Sequence, residues 1–93
     1  MASKSEWVIE FTEGSDKDFA KLDSVIRSRI LKYFYNRVIP SGDPRKLGKA
    51  LTGRHSGLWS YRIGDYRAIA FIQDHRLVIA VVQVGHRREI YDA

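Results

Sequence analysis

The pattern of hydrophobic and polar positions predicts one strand, two helices and then three further strands. The run Trp7–Phe11 is short and rich in aromatic and β-branched side chains, which is typical of a strand, and Gly14 interrupts it. Ser15 can cap a first helix, in which Phe19 and Leu22 lie one helical turn apart. A short amphipathic helix is therefore expected directly after the first strand.

A second helix is expected next, because Asp23 and Ser24 are good capping residues. Pro40 and Gly42 then end the helical pattern. The apolar positions fall on one stripe at helical spacing: Val25, Ile26, Ile30, Phe34 and Val38. The two helices together should form a hairpin with one apolar side.

Three strands are predicted after a glycine-containing basic loop at residues 41–57. They are Leu58–Ile63, Tyr66–Ile72 and Leu77–Val84, and the last is almost continuously apolar, as a strand covered on both faces should be. The order β-α-α-β-β-β predicts an α+β fold. In this fold a helical hairpin packs on a mainly antiparallel four-stranded sheet.

Length and composition narrow the class of protein to a small soluble domain. The 93 residues fit one domain spanning 1–93, and the hydrophobic fraction of 44% is that of a globular chain. The absence of cysteine excludes a disulfide framework and a cysteine-based zinc site, and no metal site is expected. No apolar run approaches the roughly 20 residues that span a bilayer, and no secretory signal is visible. A cytoplasmic location is therefore expected.

All of the net charge of +5 lies in the second half of the chain. Residues 1–44 carry seven basic and seven acidic side chains, whereas residues 45–93 carry nine basic and four acidic ones. Seven of those nine are arginines, whose planar guanidinium suits the geometry of phosphate. An anionic partner is indicated, most simply a nucleic acid; a basic surface that only confers solubility is the alternative.

Two arginines are predicted to lie side by side on a hairpin. Gly64-Asp65 is a two-residue connection typical of a type II′ turn, and it aligns Arg62 directly opposite Arg67. Like charges in this position destabilise a sheet by about a few tenths of a kcal/mol. Either the solvated end of the hairpin tolerates this cost, or an anion such as a phosphate lies between the two side chains.

A second group of candidate residues follows the last strand. His86, Arg87, Arg88 and Tyr91 come after Gly85. Such side chains can stabilise charge on a phosphate, transfer protons and stack on bases. Taken alone, each is as easily a surface or packing residue. Because Gly85 permits a bend, the face that Arg87 takes is left open.

Three segments resemble the bacterial toxins of the RelE/ParE superfamily, and its RelE branch in particular. They are Arg45–Gly53, Leu58–Arg67 and Val84–Tyr91. The resemblance implies a ribosome-dependent endoribonuclease toxin of a type II toxin–antitoxin system, which cuts translated mRNA in the ribosomal A site. It implies attack by the RNA 2′-OH without a metal or cofactor. The implied partners are the ribosome, mRNA and a cognate antitoxin, with which the toxin forms a hetero-oligomer.

The resemblance also assigns roles by position. The implied catalytic residues are Arg62, Arg67, Arg87 and Tyr91. Arg67 would stabilise the scissile phosphate, Arg87 would stabilise charge or protonate the leaving group, and Tyr91 would act as general base and stacking partner. The implied RNA-binding residues are Lys46, Lys49, Arg54, His86 and Arg88.

The sequence departs from the family pattern in two places. A strand lysine of some members falls at Ser60 here, and His86 or the basic loop are candidates to supply the missing charge. The spacing from Arg87 to Tyr91 is also shorter than in some members. Two other functions stay open: a ParE-like toxin that inhibits DNA gyrase, and a non-catalytic RNA- or ribosome-binding domain.

Overall fold

The computed structural model describes residues 6–88, in which two helices pack on one face of a five-stranded sheet. In chain order the elements are β1 Val8–Phe11, α1 Glu13–Ala20, α2 Ser24–Tyr33, β2 Lys49–Ala50, β3 Leu58–Ile63, β4 Tyr66–Gln73 and β5 Val78–His86. The strand order is β1-β5-β4-β3-β2, with β1 parallel to β5 and every other pair antiparallel. The predicted α+β fold is confirmed, and β2 adds a fifth strand to the four predicted.

Helix α1 begins earlier than predicted, because Thr12 rather than Ser15 caps it. The Thr12 hydroxyl accepts a hydrogen bond from the Ser15 backbone N–H at 3.3 Å. Ser15 is instead fully buried, and its hydroxyl donates to the Val81 carbonyl of β5 at 2.6 Å. This residue therefore ties α1 to the sheet.

Helix α2 begins as predicted, with the Asp23 carboxylate accepting from the Val25 N–H at 3.2 Å. The helix continues through a π-helical turn, Phe34–Val38, and a 3₁₀ turn, Ile39–Ser41, and ends at Gly42 with φ of 89°. The buried members of the predicted stripe are Ile30, Phe34 and Val38. Val25 lies in the first turn and is 68% exposed, whereas Ile26 is half-buried and packs on the core, so the apolar stripe begins at Ile26.

The face of the sheet that carries the helices pairs large residues with small ones. Tyr61 lies opposite Ala68, and Trp59 lies opposite Ala70. The ring of Phe34 packs on Tyr61 with its centroid 5.1 Å away. These small partners let α2 approach the sheet closely, and they hold the β3–β4 hairpin in one register.

The opposite face of the sheet, called the outer face below, carries a smaller apolar cluster. Its members are Leu51, Leu58, Ile69 and Val82. Leu51 joins this cluster from the segment after β2, where its N–H donates to the Leu58 carbonyl at 3.0 Å.

Neither helix of the described part of the chain has the length and apolar character needed to span a membrane.

Candidate nucleic-acid interface

The structure places Arg62 directly opposite Arg67 on the outer face, as the hairpin turn predicted. Gly64 has a φ of 61°, the positive value that the first central position of a type II′ turn requires. Arg67 shares its face with Ile69 of the outer apolar cluster, because alternate residues of a strand lie on one face. Arg62 is exposed and Arg67 is half-buried. Two arginine side chains thus leave the sheet from directly paired positions at the hairpin end of the outer face.

A third basic residue joins this face through the short strand β2. Lys49 pairs with Ser60, the position at which the sequence departs from the pattern of the family that it resembles. Side chains directly opposite each other in an antiparallel pair have Cβ atoms about 4.5–5.5 Å apart, so Lys49 supplies its charge close to that position. Ser60 and Arg62 are two residues apart on β3 and share a face. Lys49, Arg62 and Arg67, called the basic face below, therefore form one group.

The loop before β2 is fixed to the sheet by a close backbone contact. The Tyr61 hydroxyl donates to the Pro44 carbonyl at 2.6 Å, and burial raises the pKa of Tyr61 so that the phenol remains a donor. A Cβ atom on Gly48 would lie 2.9 Å from the Tyr61 ring, so a larger residue would push the loop away. Pro44 and Gly48 flank the turn that leads to Lys49, which sets the position of that lysine.

An ion pair secures the same loop at its other side. Arg45 donates to both carboxylate oxygens of Asp74, at 3.0 and 2.6 Å, and its guanidinium carbon lies 5.9 Å from the Trp59 ring centroid. These hydrogen bonds hold the pKa of the Asp74 carboxyl below its ordinary value, and the positive charge of Arg45 makes a smaller contribution in the same direction. Lys46 and Arg54 project from the loop and are exposed. They extend the basic surface without belonging to the basic face.

The last strand places His86 on the face of the sheet that carries the helices, away from the basic face. Its ring meets that of Tyr66, its strand partner, edge to face with centroids 5.4 Å apart. The cause is a bulge. Ala70 pairs with Val81, but Ile69 pairs with Gln83, so Val82 is an extra residue that reverses the alternation beyond it. The structure therefore does not bring His86 together with Arg67.

Arg87 and Arg88 follow β5 as an exposed turn. The Arg87 N–H donates to the Asp65 carbonyl at 2.8 Å, which fixes this turn against the hairpin that carries Arg62 and Arg67. The Arg88 N–H donates to Nδ1 of His86 at 3.2 Å. Tyr91 lies outside the described residues.

Sequence reasoning predicted Arg62 opposite Arg67 but missed where Lys49 lies. A strand of two residues leaves no periodic pattern, and the only available signal was that Lys49 lies in a basic loop. No group of three or more histidine, aspartate or glutamate side chains that could hold a metal ion occurs within residues 6–88.

The sequence and the fold of this chain both match a known class of small toxins. The family model of the ParE toxin of the type II toxin–antitoxin system parDE matches residues 9–91, and the chain belongs to this family. It is a toxin of the RelE/ParE superfamily.

Two curated relatives are toxins of Mycobacterium tuberculosis. The chain is 28% identical to toxin RelG over 85 residues, covering 91% of this chain and 95% of the relative. It is 24% identical to toxin RelE over 91 residues, covering 98% of this chain and 92% of the relative.

Solved structures show the same fold. The toxin–antitoxin complex RelBE2 of Mycobacterium tuberculosis matches with a TM-score of 0.78 and 26% identity, over 89% of this chain and 93% of that chain. The isolated RelE toxin of E. coli matches with a TM-score of 0.69 and 22% identity, over 86% of this chain and 83% of that chain.

Proposed function

We propose that this toxin is a ribosome-dependent endoribonuclease that cuts translated mRNA in the ribosomal A site. The observation that carries the proposal is the basic face, where Lys49, Arg62 and Arg67 lie together on one rigid sheet. The similarity to toxins named RelG and RelE supports it. In this proposal the RNA 2′-oxygen attacks the adjacent phosphate and the P–O5′ bond breaks, which leaves a 2′,3′-cyclic phosphate and a 5′-OH end. No metal or cofactor takes part.

Cleavage of RNA by its own 2′-OH depends more on stabilising negative charge on the phosphate than on a strong base. Negative charge grows on the phosphate oxygens as the 2′-oxygen attacks, and guanidinium groups aimed at those oxygens stabilise it. Arginine cannot act as a base at neutral pH, because its side chain stays protonated. Arg67 and Arg62 therefore neutralise charge, with Arg87 beside the leaving group. Tyr91 in its phenolate form is the proposed acceptor of the 2′-OH proton and the proposed stacking partner. Arg87 is the proposed proton donor to the leaving 5′-oxygen, and the ribosome supplies the in-line geometry of the RNA.

Primer extension on a translated message tests the proposal. After induction of the toxin we expect cuts inside codons, in frame with translation, and none in the same message without a start codon. The Arg67→Ala variant should give no cuts within the same induction time. Growth arrest with an intact message would contradict the proposal and leave the non-catalytic, ribosome-binding alternative.

Inhibition of DNA gyrase is the second candidate, because the matching family model is that of the ParE toxin. Purified gyrase with plasmid DNA tests it. Accumulation of linear plasmid in the presence of the toxin, together with an intact message in cells, would favour gyrase inhibition. Cut message with unchanged gyrase activity would favour the ribonuclease.

A cognate antitoxin is the proposed partner in the cytoplasm, since several solved relatives are toxin–antitoxin complexes. The net charge of +5 favours an acidic partner, and a disordered acidic segment can fold on such a surface. Expression of the toxin with the protein encoded beside it should yield a stable hetero-oligomer and restore growth. Harmless accumulation of the toxin alone would contradict this.

A further inference from the structure

A cleft of about 570 Å³ lies on the helix side of the sheet, behind the basic face. Its lining residues come from the α1–α2 junction, from β4 and from the end of β5: Lys21, Leu22, Tyr66, His86 and Arg88. We call it the helix-side cleft. Its volume lies in the range of roughly 300–1,000 Å³ that is usual for small-molecule sites.

The lining of the cleft combines positive charge with aromatic surface. Lys21 and Arg88 are exposed cations, and within residues 6–88 no aspartate or glutamate lines the cleft. Tyr66 and His86 are half-buried and meet edge to face, with an interplanar angle of 72°. Such a surface can hold an anionic group and a flat aromatic group at the same time.

The hydrogen bond to His86 determines which of its ring nitrogens can donate a hydrogen bond to a ligand. Nδ1 accepts from the Arg88 backbone N–H, so the neutral ring carries its proton on Nε2. His86 is thereby a hydrogen-bond donor with a fixed ring orientation, and the Tyr66 hydroxyl is a second polar group beside it. Both suit phosphate or the edge of a base.

We propose that the helix-side cleft binds one nucleotide of single-stranded RNA, with its phosphate between Lys21 and Arg88 and its base against the ring of His86. The inference rests on the proposed RNA substrate, and it adds a second contact on the other side of the sheet. Tyr66 and Arg67 are adjacent on β4, with His86 and Gly85 as their respective strand partners. The two sites are therefore separated only by the thickness of the sheet, and one strand of RNA would have to cross from one face of the sheet to the other to contact both.

Binding of an RNA that cannot be cut tests the cleft independently of catalysis. The probe is a fluorescent 2′-O-methyl pentanucleotide, which lacks the attacking hydroxyl, measured by fluorescence anisotropy at low salt. We expect Lys21→Ala with Arg88→Ala to weaken binding about tenfold and to flatten the salt dependence by about one unit of slope. The control, Lys32→Ala with Arg37→Ala, removes the same charge from exposed sites near the end of α2 and should change binding less than about threefold.

A second measurement separates a nucleotide from a bare phosphate. An abasic sugar-phosphate chain of the same length should bind the wild-type toxin about fivefold or more weakly, because base stacking is lost. In His86→Ala that difference should largely disappear. Equal binding of both probes by the wild-type toxin would overturn the nucleotide site and leave only a charged surface.

The outcomes also separate this proposal from the proposed function. Normal probe binding by the Lys21→Ala/Arg88→Ala variant, with cleavage abolished in Arg67→Ala, overturns the cleft alone. Loss of affinity for the antitoxin without any change in probe binding would show that the cleft is a protein-binding site, and would also overturn it. Failure of the wild-type toxin to cut any message overturns the proposed function, while the probe still reports on the cleft.

Discussion

Arg62 and Arg67 face each other across the hairpin but differ in burial. Arg67 is half-buried on the inner strand β4, whereas Arg62 is exposed on β3. A half-buried guanidinium has fewer conformations to lose, and it acts through a lower local dielectric than an exposed one. Arg67 is therefore the better placed of the two to stabilise a transition state.

Arg67→Ala should lower the saturated rate of cleavage on programmed ribosomes by roughly 10²-fold or more, the scale of losing one preorganised charge stabiliser. Single-turnover cleavage with toxin in excess measures this. Arg76→Ala is the control, because it removes an exposed arginine from the β4–β5 turn. A rate within about threefold of wild type would show that Arg67 does not stabilise the transition state. A collapsed thermal melt would show that Arg67 has a structural role.

Because Lys49 on β2 pairs with Ser60 on β3, two substitutions can move the positive charge of Lys49 to the neighbouring strand. Lys49→Ala should slow cleavage by about tenfold, since the basic face loses one of its three charges. Adding Ser60→Lys to that variant places a lysine directly opposite position 49 and should restore much of the rate. The same single-turnover assay measures both. If Ser60→Lys gives no recovery in a folded protein, the charge of Lys49 is not what the site requires.

For single residues, the sequence predicted which side chains pair within the β3–β4 hairpin. It did not predict on which face of the sheet the residues at the end of β5 lie. The Gly64-Asp65 turn was sufficient to align Arg62 with Arg67. The face of His86 depends on the bulge at Val82, which no turn residue or break in hydrophobicity marks. A bulge inside an apolar strand reverses every later side chain and leaves the composition unchanged.

Among the elements, those specified by local chemistry were predicted best. Strand β3 has the predicted bounds, and α2 begins at the predicted cap. Thr12 and Ser15 are both good caps by sequence. The structure uses Thr12 as the cap, because the Ser15 hydroxyl is engaged with the Val81 carbonyl, 66 residues away along the chain. Strand β2 likewise exists because Tyr61 and Asp74 hold the preceding loop, and both contacts are remote in sequence.

The attachment of that loop should depend on pH. The carboxylate of Asp74 is stabilised by Arg45, which lowers its pKa, so the contact is fully present above the ordinary aspartate value of about 3.9. It is lost as the pH falls through the lower pKa of the folded state. In a Trp7→Phe background, Trp59 fluorescence should report this loss with a midpoint below about 3.9.

Matched variants decide whether Asp74 is responsible for that change. Asp74→Asn should remove the fluorescence transition, whereas Asp65→Asn, an exposed carboxylate at the hairpin turn, should leave it in place. Circular dichroism over the same pH range separates loop release from global unfolding. A transition that persists in Asp74→Asn would show that another group controls the loop.

For the whole molecule, the basic second half should act mainly on association with the ribosome. Lys46 and Arg54 are exposed loop residues away from the basic face. Replacing both by alanine should weaken ribosome binding and reduce the slope of log affinity against log salt by about one to two. Cleavage at saturating toxin should change little. Equal affinity at every salt concentration would show that the loop does not contact RNA.

The parallel pairing of β1 with β5 also has a consequence during protein synthesis. Val8 pairs with Val78, 70 residues further along the chain. At roughly 5–20 residues per second, β5 follows β1 out of the ribosome only after roughly 4–14 s. During that interval the first strand has no partner, and the Ser15 hydroxyl has no Val81 carbonyl to bind. The sheet is thus complete only after a ribosome has translated past β5, and a partner has several seconds to reach the growing chain first.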